Sequence, residues 1–145
     1  VPVILMHMRG DPKSMQDAPV YDCAPLDVFD WLEARIAACV AAGIEEKTIL
    51  VDPGIGFGKT TQHNVEILAR LSLLHGLGRP IVLGASRKRF IANLTPGEPA
   101  AKRRVPGSTA TAIKAAEAGV QIIRVHDVAE TVQALAVWRA MTDAV

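Results

Sequence analysis

Three groups of charged side chains follow apolar, β-branched runs of the kind that form buried strands. They are Asp52 after Thr48-Ile-Leu-Val, Arg87 and Lys88 after Ile81-Val-Leu-Gly-Ala, and Arg124 and His126 within Ile122-Ile-Arg-Val-His. The carboxyl ends of parallel strands lie on one face of an α/β sheet, so we expect these groups to converge on a single pocket. An acid, a lysine and an arginine–histidine pair together suit a polar, anionic small molecule.

Asp52 is the acidic member of this set. Side chains alternate along a strand, so Asp52 should share the direction of Leu50, while Ile49 and Val51 face the helices. A carboxylate in that position can accept hydrogen bonds from the amino and imino groups of a flat heterocycle. An Asp that caps its own loop is the other interpretation.

The loop after Asp52, from Pro53 to Thr60, contains three glycines. Gly58-Lys59-Thr60 ends like a nucleotide-binding loop, but Pro53 occupies the position of the required first glycine. The dinucleotide fingerprint also fails, because its third glycine would fall at Lys59. The pattern therefore predicts a loop that folds tightly against a ligand rather than a nucleotide site.

The second group, Ser86-Arg-Lys-Arg, places three cations directly after a buried run. Lys88 can donate to a ring carbonyl or nitrogen, and the helical turn that follows offers backbone N–H groups to a carboxylate. A second basic stretch, Lys102 to Arg104, is interpreted as a solvated loop, because little beyond Phe90 supplies the aromatic residues of a nucleic-acid site.

Arg124 and His126 are two residues apart and project from the same face of a strand. The arginine fork and the imidazole form a clamp suited to phosphate or pyrophosphate oxygens. A structural role for His126 is the alternative. The histidines and cysteines show none of the short spacings of zinc sites, so no protein-held metal is predicted.

Composition limits the remaining possibilities. The chain has 145 residues, of which 50% are apolar and 4% aromatic, and a net charge of +1. This favours a single α/β domain and gives no overall field that would attract nucleic acid or a membrane surface. Cys23 and Cys39 indicate reduced thiols and a cytoplasmic protein.

Alternating hydrophobic periods predict four βα units. The predicted strands are Val3–Met6, Thr48–Val51, Ile81–Ala85 and Ile122–Val125. The predicted helices bury Leu26, Phe29, Leu32, Ile36 and Val40; then Val65, Leu68 and Leu71; then a face within 108–118; and finally Val132, Leu135 and Trp138, after a capping box of Asp127 and Glu130. Because a (βα)8 barrel needs about 250 residues, four units correspond to half of one.

Four ordered segments closely resemble those of the dihydropteroate synthases. They are Leu5-Met-His-Met-Arg-Gly-Asp-Pro, Asp52-Pro-Gly-Ile-Gly-Phe-Gly-Lys, Gly84-Ala-Ser-Arg-Lys-Arg-Phe and Arg124-Val-His-Asp-Val. The resemblance implies that residues 1–145 form a pterin-binding domain, namely the C-terminal half of a (βα)8 TIM barrel with strands five to eight. It also implies a transferase of folate biosynthesis that joins 7,8-dihydropterin-6-ylmethyl diphosphate to p-aminobenzoate and releases pyrophosphate.

The same resemblance implies roles for individual residues. Asp52 would bind the amino and N–H edge of the pterin, in a slot lined by Met6 and Gly84. Lys88 would contact the pterin and border the aminobenzoate site, beside Phe57 and Ser86. Arg124 would stack near the pterin and, with His126, hold the leaving diphosphate. Lys88, Arg124 and His126 are thus the expected catalytic residues.

Further expectations follow from the resemblance. Mg²⁺ would be held through the substrate diphosphate, with its protein ligand on the other half of the barrel. The enzyme would be a homodimer and a sulfonamide target that binds neither nucleic acid nor membranes, and this half alone would lack turnover. Two alternatives remain: a pterin-binding methyltransferase domain, and a non-catalytic half-barrel that self-associates through its open edges.

Overall fold

Four parallel strands with intervening helices make up the fold. A computed structural model describes residues 1–11, 15 and 17–144, so Pro12, the last residue of the segment that begins at Leu5, lies outside the described residues. The elements in order are β1 (Val3–Met6), α1 (Ala24–Ala41), β2 (Ile49–Asp52), α2 (Thr61–Ala69), β3 (Val82–Leu83), α3 (Arg89–Asn93), α4 (Val105–Glu117), β4 (Ile122–Ile123) and α5 (Val128–Thr142). The predicted βα alternation is therefore confirmed, with shorter third and fourth strands.

The strands lie side by side in chain order. β1 pairs with β2, and β3 pairs with β4, both in parallel. A parallel bridge between Val51 and Ile81 joins the two pairs. All four strands therefore end on the same side of the layer, which is the arrangement that the sequence predicted.

The two faces of the strand layer differ in burial. Ile49 and Val51 are completely buried, whereas Leu50 is only partly covered. This alternation confirms that Ile49 and Val51 face the helices. On the opposite face, Ile4 of β1 is 54% exposed and Ile122 of β4 is 44% exposed.

Two predicted helix faces are confirmed in part. In α1, Leu32 is buried as predicted, but Leu26 is 49% exposed and Val28 is buried instead. In α5, Leu135 and Trp138 are half-buried as predicted. The prediction is wrong at the start of α5, where Val132 is 60% exposed and Thr131 is the buried residue.

The predicted capping box at the start of α5 is wrong. Asp127 is the N-cap residue, but its side chain makes no capping hydrogen bond. Its carboxylate instead accepts two hydrogen bonds from the guanidinium of Arg87. Asp127 thus pairs with Arg87 and not with the backbone N–H groups at the start of α5.

The helices cover a core to which every strand contributes: Val51 of β2 and Leu83 of β3 are fully buried in it, and Leu5 of β1 and Ile123 of β4 pack against it. Its largest completely buried side chains include Leu32, Ile49, Ile55, Leu71, Ile81 and Leu83. No helix in the described part of the chain is long and apolar enough to cross a membrane.

Candidate active site

The predicted polar residues gather at the carboxyl ends of the strands. Asp52 is the last residue of β2 and is paired in register with Met6, the last residue of β1. Ser86 follows β3, and Arg124 and His126 follow β4. A cavity of about 90 Å³ is lined by Gly84, Ser86, Lys88, Arg124, Val125 and His126.

Asp52 is buried, with 4% of its surface exposed. Its Oδ1 accepts a hydrogen bond of 2.7 Å from the backbone N–H of Gly54. Burial raises the pKa of Asp52, while this hydrogen bond and the nearby cations Arg124 and Lys88 oppose the shift. The loop-capping interpretation is thus correct for one oxygen, and a carboxylate has further acceptor capacity for a ligand.

Arg124 lies against the backbone of Gly84. A β-carbon built on Gly84 would lie 2.6 Å from Nη2 and 3.1 Å from Cζ of Arg124. Only glycine leaves room for the guanidinium in this position. The guanidinium therefore lies against the backbone that follows β3, at the carboxyl end of the strand layer.

His126 is bound to the loop after β3. Its Nδ1 lies 3.0 Å from Oγ of Ser86, and its backbone N–H donates to the same oxygen over 3.2 Å. The adjacent Arg87 and Asp127 form a bidentate pair. These contacts fix the loops that carry Ser86 and the Arg124–His126 clamp relative to one another.

Lys88 lies at the other side of the cavity. Its Nζ is 4.1 Å from the centre of the Phe57 ring, a cation–π contact. Burial and the charge of Arg124 lower the pKa of Lys88, and the charge of Asp52 opposes this. Lys88 thus connects the glycine loop with the basic group that follows β3.

The glycine loop packs directly against the segment that follows β1. Gly54 and Gly58 have φ values of +66° and +61°, and a β-carbon on either would overlap the carbonyl oxygen of His7 or Arg9, respectively. The hydroxyl of Tyr21 also donates to the carbonyl of Gly58 over 2.7 Å. The glycines therefore permit backbone-to-backbone packing that other residues would prevent.

Sequence reasoning missed two buried polar residues beneath this loop, His7 and Lys59, each 3% exposed. Lys59 Nζ lies 2.8 Å from His7 Nδ1 and donates to the carbonyls of Gly54 and Phe57 over 2.9 and 3.0 Å. Burial lowers the pKa of Lys59 to about 7 and that of His7 to about 3, and the charge of Lys59 adds to the effect on His7. No sequence pattern reveals this site, because the partners of Nζ are two backbone carbonyls and a histidine that lies far away in the chain.

The ending that resembles a nucleotide-binding loop has a structural role. Lys59 Nζ is enclosed by protein acceptors. Thr60 is the N-cap of α2 and forms a reciprocal capping box with His63. Neither side chain is therefore arranged to receive a nucleotide phosphate. Within the described residues no group of three or more His, Cys, Asp or Glu is placed to hold a metal ion.

Comparison with known proteins identifies the fold family of this site. The family model described as "Pterin binding enzyme" matches residues 1–126. The chain belongs to the pterin-binding enzyme family. The cavity lined by Lys88, Arg124 and His126 therefore lies in a pterin-binding fold.

Individual members of the pterin-binding enzyme family match over nearly the whole chain. The dihydropteroate synthase of Escherichia coli (strain K12) is 46% identical over 144 residues, which is 99% of this chain and 50% of that protein. Yersinia pestis dihydropteroate synthase, solved with a sulfonamide drug complex, superposes with a TM-score of 0.93 at 46% identity, covering 100% of this chain and 52% of that one.

A third relative was solved with a small aromatic acid. Xanthomonas albilineans dihydropteroate synthase with 4-aminobenzoic acid superposes with a TM-score of 0.89 at 48% identity, and covers 98% of this chain and 50% of that one. The chain thus spans about half the length of the relatives that it matches. This confirms the prediction that its four βα units are half of a (βα)8 barrel.

Proposed function

We propose that this chain is the C-terminal half of a dihydropteroate synthase. Its residues 1–145 would form the part of the pterin-binding domain that contains strands five to eight. The observation that carries the proposal is that the cations Lys88 and Arg124 lie close enough to the buried Asp52 to influence its pKa. The relative from Escherichia coli, which is 46% identical, is a dihydropteroate synthase. The substrates would be 7,8-dihydropterin-6-ylmethyl diphosphate and p-aminobenzoate, and the products dihydropteroate and pyrophosphate.

Each substrate has a matching group of residues. The buried carboxylate of Asp52 suits the N–H edge of the pterin, between Met6 and Gly84. Phe57, Ser86 and Lys88 suit the ring and the polar substituents of p-aminobenzoate. The cationic clamp of Arg124 and His126 suits the diphosphate.

In the proposed reaction, the bond between the pterin methylene carbon and the diphosphate oxygen breaks, and its electron pair leaves with the diphosphate. The amine nitrogen of p-aminobenzoate forms the new C–N bond and releases one proton. The Arg124 guanidinium stabilises the charge that develops on the leaving group, and Lys88 and Phe57 position the incoming amine. No residue of this chain needs to form a covalent bond.

The donors on this rim fit a diphosphate better than a bare divalent ion. Arg124 and His126 are hydrogen-bond donors, and the described residues contain no carboxylate cluster to ligate Mg²⁺. A magnesium ion would therefore be bound through the substrate diphosphate. Its protein ligand would come from the other half of the barrel.

The arginine–histidine clamp also separates the synthase from a pterin-binding methyltransferase. A methyl transfer releases no pyrophosphate, so a methyltransferase has no use for an arginine and a histidine that together bind phosphate oxygens beside the pterin slot. Arg124 and His126 therefore favour the synthase.

We also propose that the enzyme is a cytoplasmic homodimer. Cys23 and Cys39 are unpaired, as expected in a reducing compartment. Helix α5 exposes Val128, Val132, Val137 and Met141, each at least 56% accessible. These side chains form two exposed apolar pairs on opposite sides of the helix, Val128 with Val132 and Val137 with Met141. A subunit contact would cover one of the pairs, and the molecular mass of the assembled enzyme in solution tests it.

The function is tested by combining this chain with a fragment that supplies the other four βα units and measuring dihydropteroate formation. Arg124→Ala should lower kcat/KM for the pterin diphosphate by about 100-fold or more, because the leaving charge loses its stabilising donor. Arg103→Ala, which alters an exposed arginine, is the matched control. An assembled protein that binds pterin diphosphate but forms no dihydropteroate would exclude the synthase.

A further inference from the structure

The buried ammonium of Lys59 lies inside the turn that carries Phe57. The backbone N–H of Phe57 donates to the carbonyl of Gly54 over 3.1 Å, which closes a tight turn over residues 54–57. Both of these residues direct their carbonyl oxygens to Lys59 Nζ, at 2.9 and 3.0 Å. One cation therefore holds both ends of the turn.

The third partner of Lys59 comes from a different strand. His7 follows β1, its backbone N–H donates to the carbonyl of Asp52 over 2.9 Å, and its Nδ1 lies 2.8 Å from Lys59 Nζ. The imidazole also packs edge-on against Trp31, with ring centres 5.1 Å apart. The ammonium thus connects the glycine loop to a rigid part of the neighbouring strand.

The partners of Lys59 limit its role. Nζ has three protein groups at hydrogen-bond distance: the carbonyl oxygens of Gly54 and Phe57, which can only accept, and Nδ1 of His7. These groups occupy the three hydrogen-bonding positions around Nζ. Lys59 is therefore suited to hold the turn and not to exchange a proton with a substrate.

We propose that Lys59 is a positioning residue for p-aminobenzoate, which it affects only through the placement of Phe57. Lys59 itself is 3% exposed and enclosed by the loop. The Phe57 ring lies 4.1 Å from Lys88 Nζ, so the conformation of the turn determines where an aromatic substrate meets this cation. This inference rests on the proposed synthase function.

The kinetic test uses Lys59→Met in the assembled synthase, because Met keeps the length of the side chain and removes its donors. We expect the KM for p-aminobenzoate to rise about tenfold and the dissociation constant of the pterin diphosphate to change less than about threefold. Lys47→Met is the matched control, since Lys47 is exposed and pairs only with Glu45 in the described structure. Equal effects on both substrates, or a fall in kcat alone, would overturn the proposal.

A double-mutant cycle tests whether Lys59 acts through Phe57. After Phe57→Ala, the further change Lys59→Met should leave the KM for p-aminobenzoate unchanged within about twofold. Additive effects of the two substitutions would show that Lys59 acts by another route.

A pair of substitutions at His7 keeps the proposal testable if Lys59→Met does not fold. His7→Asn retains an acceptor near the position of Nδ1 and should preserve the KM for p-aminobenzoate. His7→Leu removes the acceptor and should raise that KM about tenfold. Equal KM values for the two variants would contradict the proposal.

A spectroscopic measurement separates this inference from the proposed function. The Phe57 ring current should shift the ε-methylene resonances of Lys88 in protein labelled with ¹³C-lysine. Lys59→Met should move these resonances toward ordinary lysine values, whether or not the protein makes dihydropteroate. Unchanged Lys88 resonances would refute the positioning role even in an active synthase.

Discussion

At the scale of single residues, Gly84 shows how the absence of a side chain shapes the site. A β-carbon at this position would meet the guanidinium of Arg124 at 2.6 Å. The obstructing atoms are the far end of a flexible side chain, so the arginine can move away without disturbing the core. The glycine that directly follows β3 is therefore required by the site and not by the strand.

We predict that Gly84→Ala leaves the free energy of unfolding within about 1 kcal/mol of the wild type. The same change should weaken binding of the pterin diphosphate about tenfold or more, because Arg124 is displaced from its position. Calorimetric binding and urea denaturation measure the two effects separately. In an Arg124→Ala background Gly84→Ala should have little further effect on binding, and a full effect there would contradict the mechanism.

His7 provides a prediction about pH. Its pKa falls from 6.5 to about 3 on folding, because burial and the charge of Lys59 disfavour the imidazolium. The unfolded chain therefore binds an extra proton between these pH values. The contribution of His7 to the free energy of unfolding is complete above about pH 6.5 and decreases as the pH falls. Between pH 6.5 and 4.5 we expect a loss of about 2 kcal/mol from this residue.

Urea denaturation at several pH values checks the His7 prediction. His7→Asn keeps the acceptor near Lys59 but does not titrate, so its stability should decline less over the same interval. The carboxylates that titrate at lower pH are common to both proteins and cancel in the difference. Parallel pH profiles for the two proteins would show that His7 is not the group responsible.

At the scale of elements, the loops after β3 and β4 are joined by a pair of charged residues. Arg87 adopts a left-handed conformation with φ of 59°, and its guanidinium binds the carboxylate of Asp127. The carbonyl of Arg87 also accepts a hydrogen bond of 2.9 Å from Arg104 Nη1. The hydrogen bond from Arg87 lowers the pKa of Asp127, as expected for a carboxylate in a charge-assisted pair.

We predict that Asp127→Asn weakens diphosphate binding about threefold to tenfold and leaves the thermal midpoint nearly unchanged. The side chains of the pair are 26% and 11% exposed, and Asn keeps the shape of Asp127 and one acceptor oxygen for Arg87, so the cost in stability is small. The weakened pair would align less firmly the loops that hold Ser86 against His126. Arg139→Gln breaks the exposed pair with Asp143 and is the matched control. Wild-type diphosphate affinity in Asp127→Asn would show that the pair does not align the clamp.

The elements also show how far the sequence predicts this structure. Strand positions and the placement of Asp52 and Arg124 follow from apolar runs with period two, so they were predictable. The first buried position of α5 was not predictable, because it is occupied by Thr131 and not by a large apolar residue. The partners of Lys59 and Asp127 were also not predictable, because they depend on loops brought together only by the fold.

At the scale of the whole molecule, one face of the strand layer remains uncovered. Ile4 and Ile122 lie on the two outermost strands and are 54% and 44% exposed. They belong to the face that bears Asp52 and Arg124, which is the inside of the barrel in a (βα)8 fold. The chain spans about half the length of its relatives, so the other half would cover both residues and complete the rim.

We predict that the 145-residue chain alone forms no detectable dihydropteroate, because in the proposed synthase half of the groups around the two substrates would come from the other four βα units. Adding those units as a separate fragment should restore turnover and should slow amide hydrogen exchange along β1 and β4, where the new strands would pair. A fragment carrying Asp or Pro substitutions along its pairing strands is the control. Turnover by the chain without any added fragment would contradict the prediction and would mean that the groups around Asp52, Lys88 and Arg124 suffice for the chemistry.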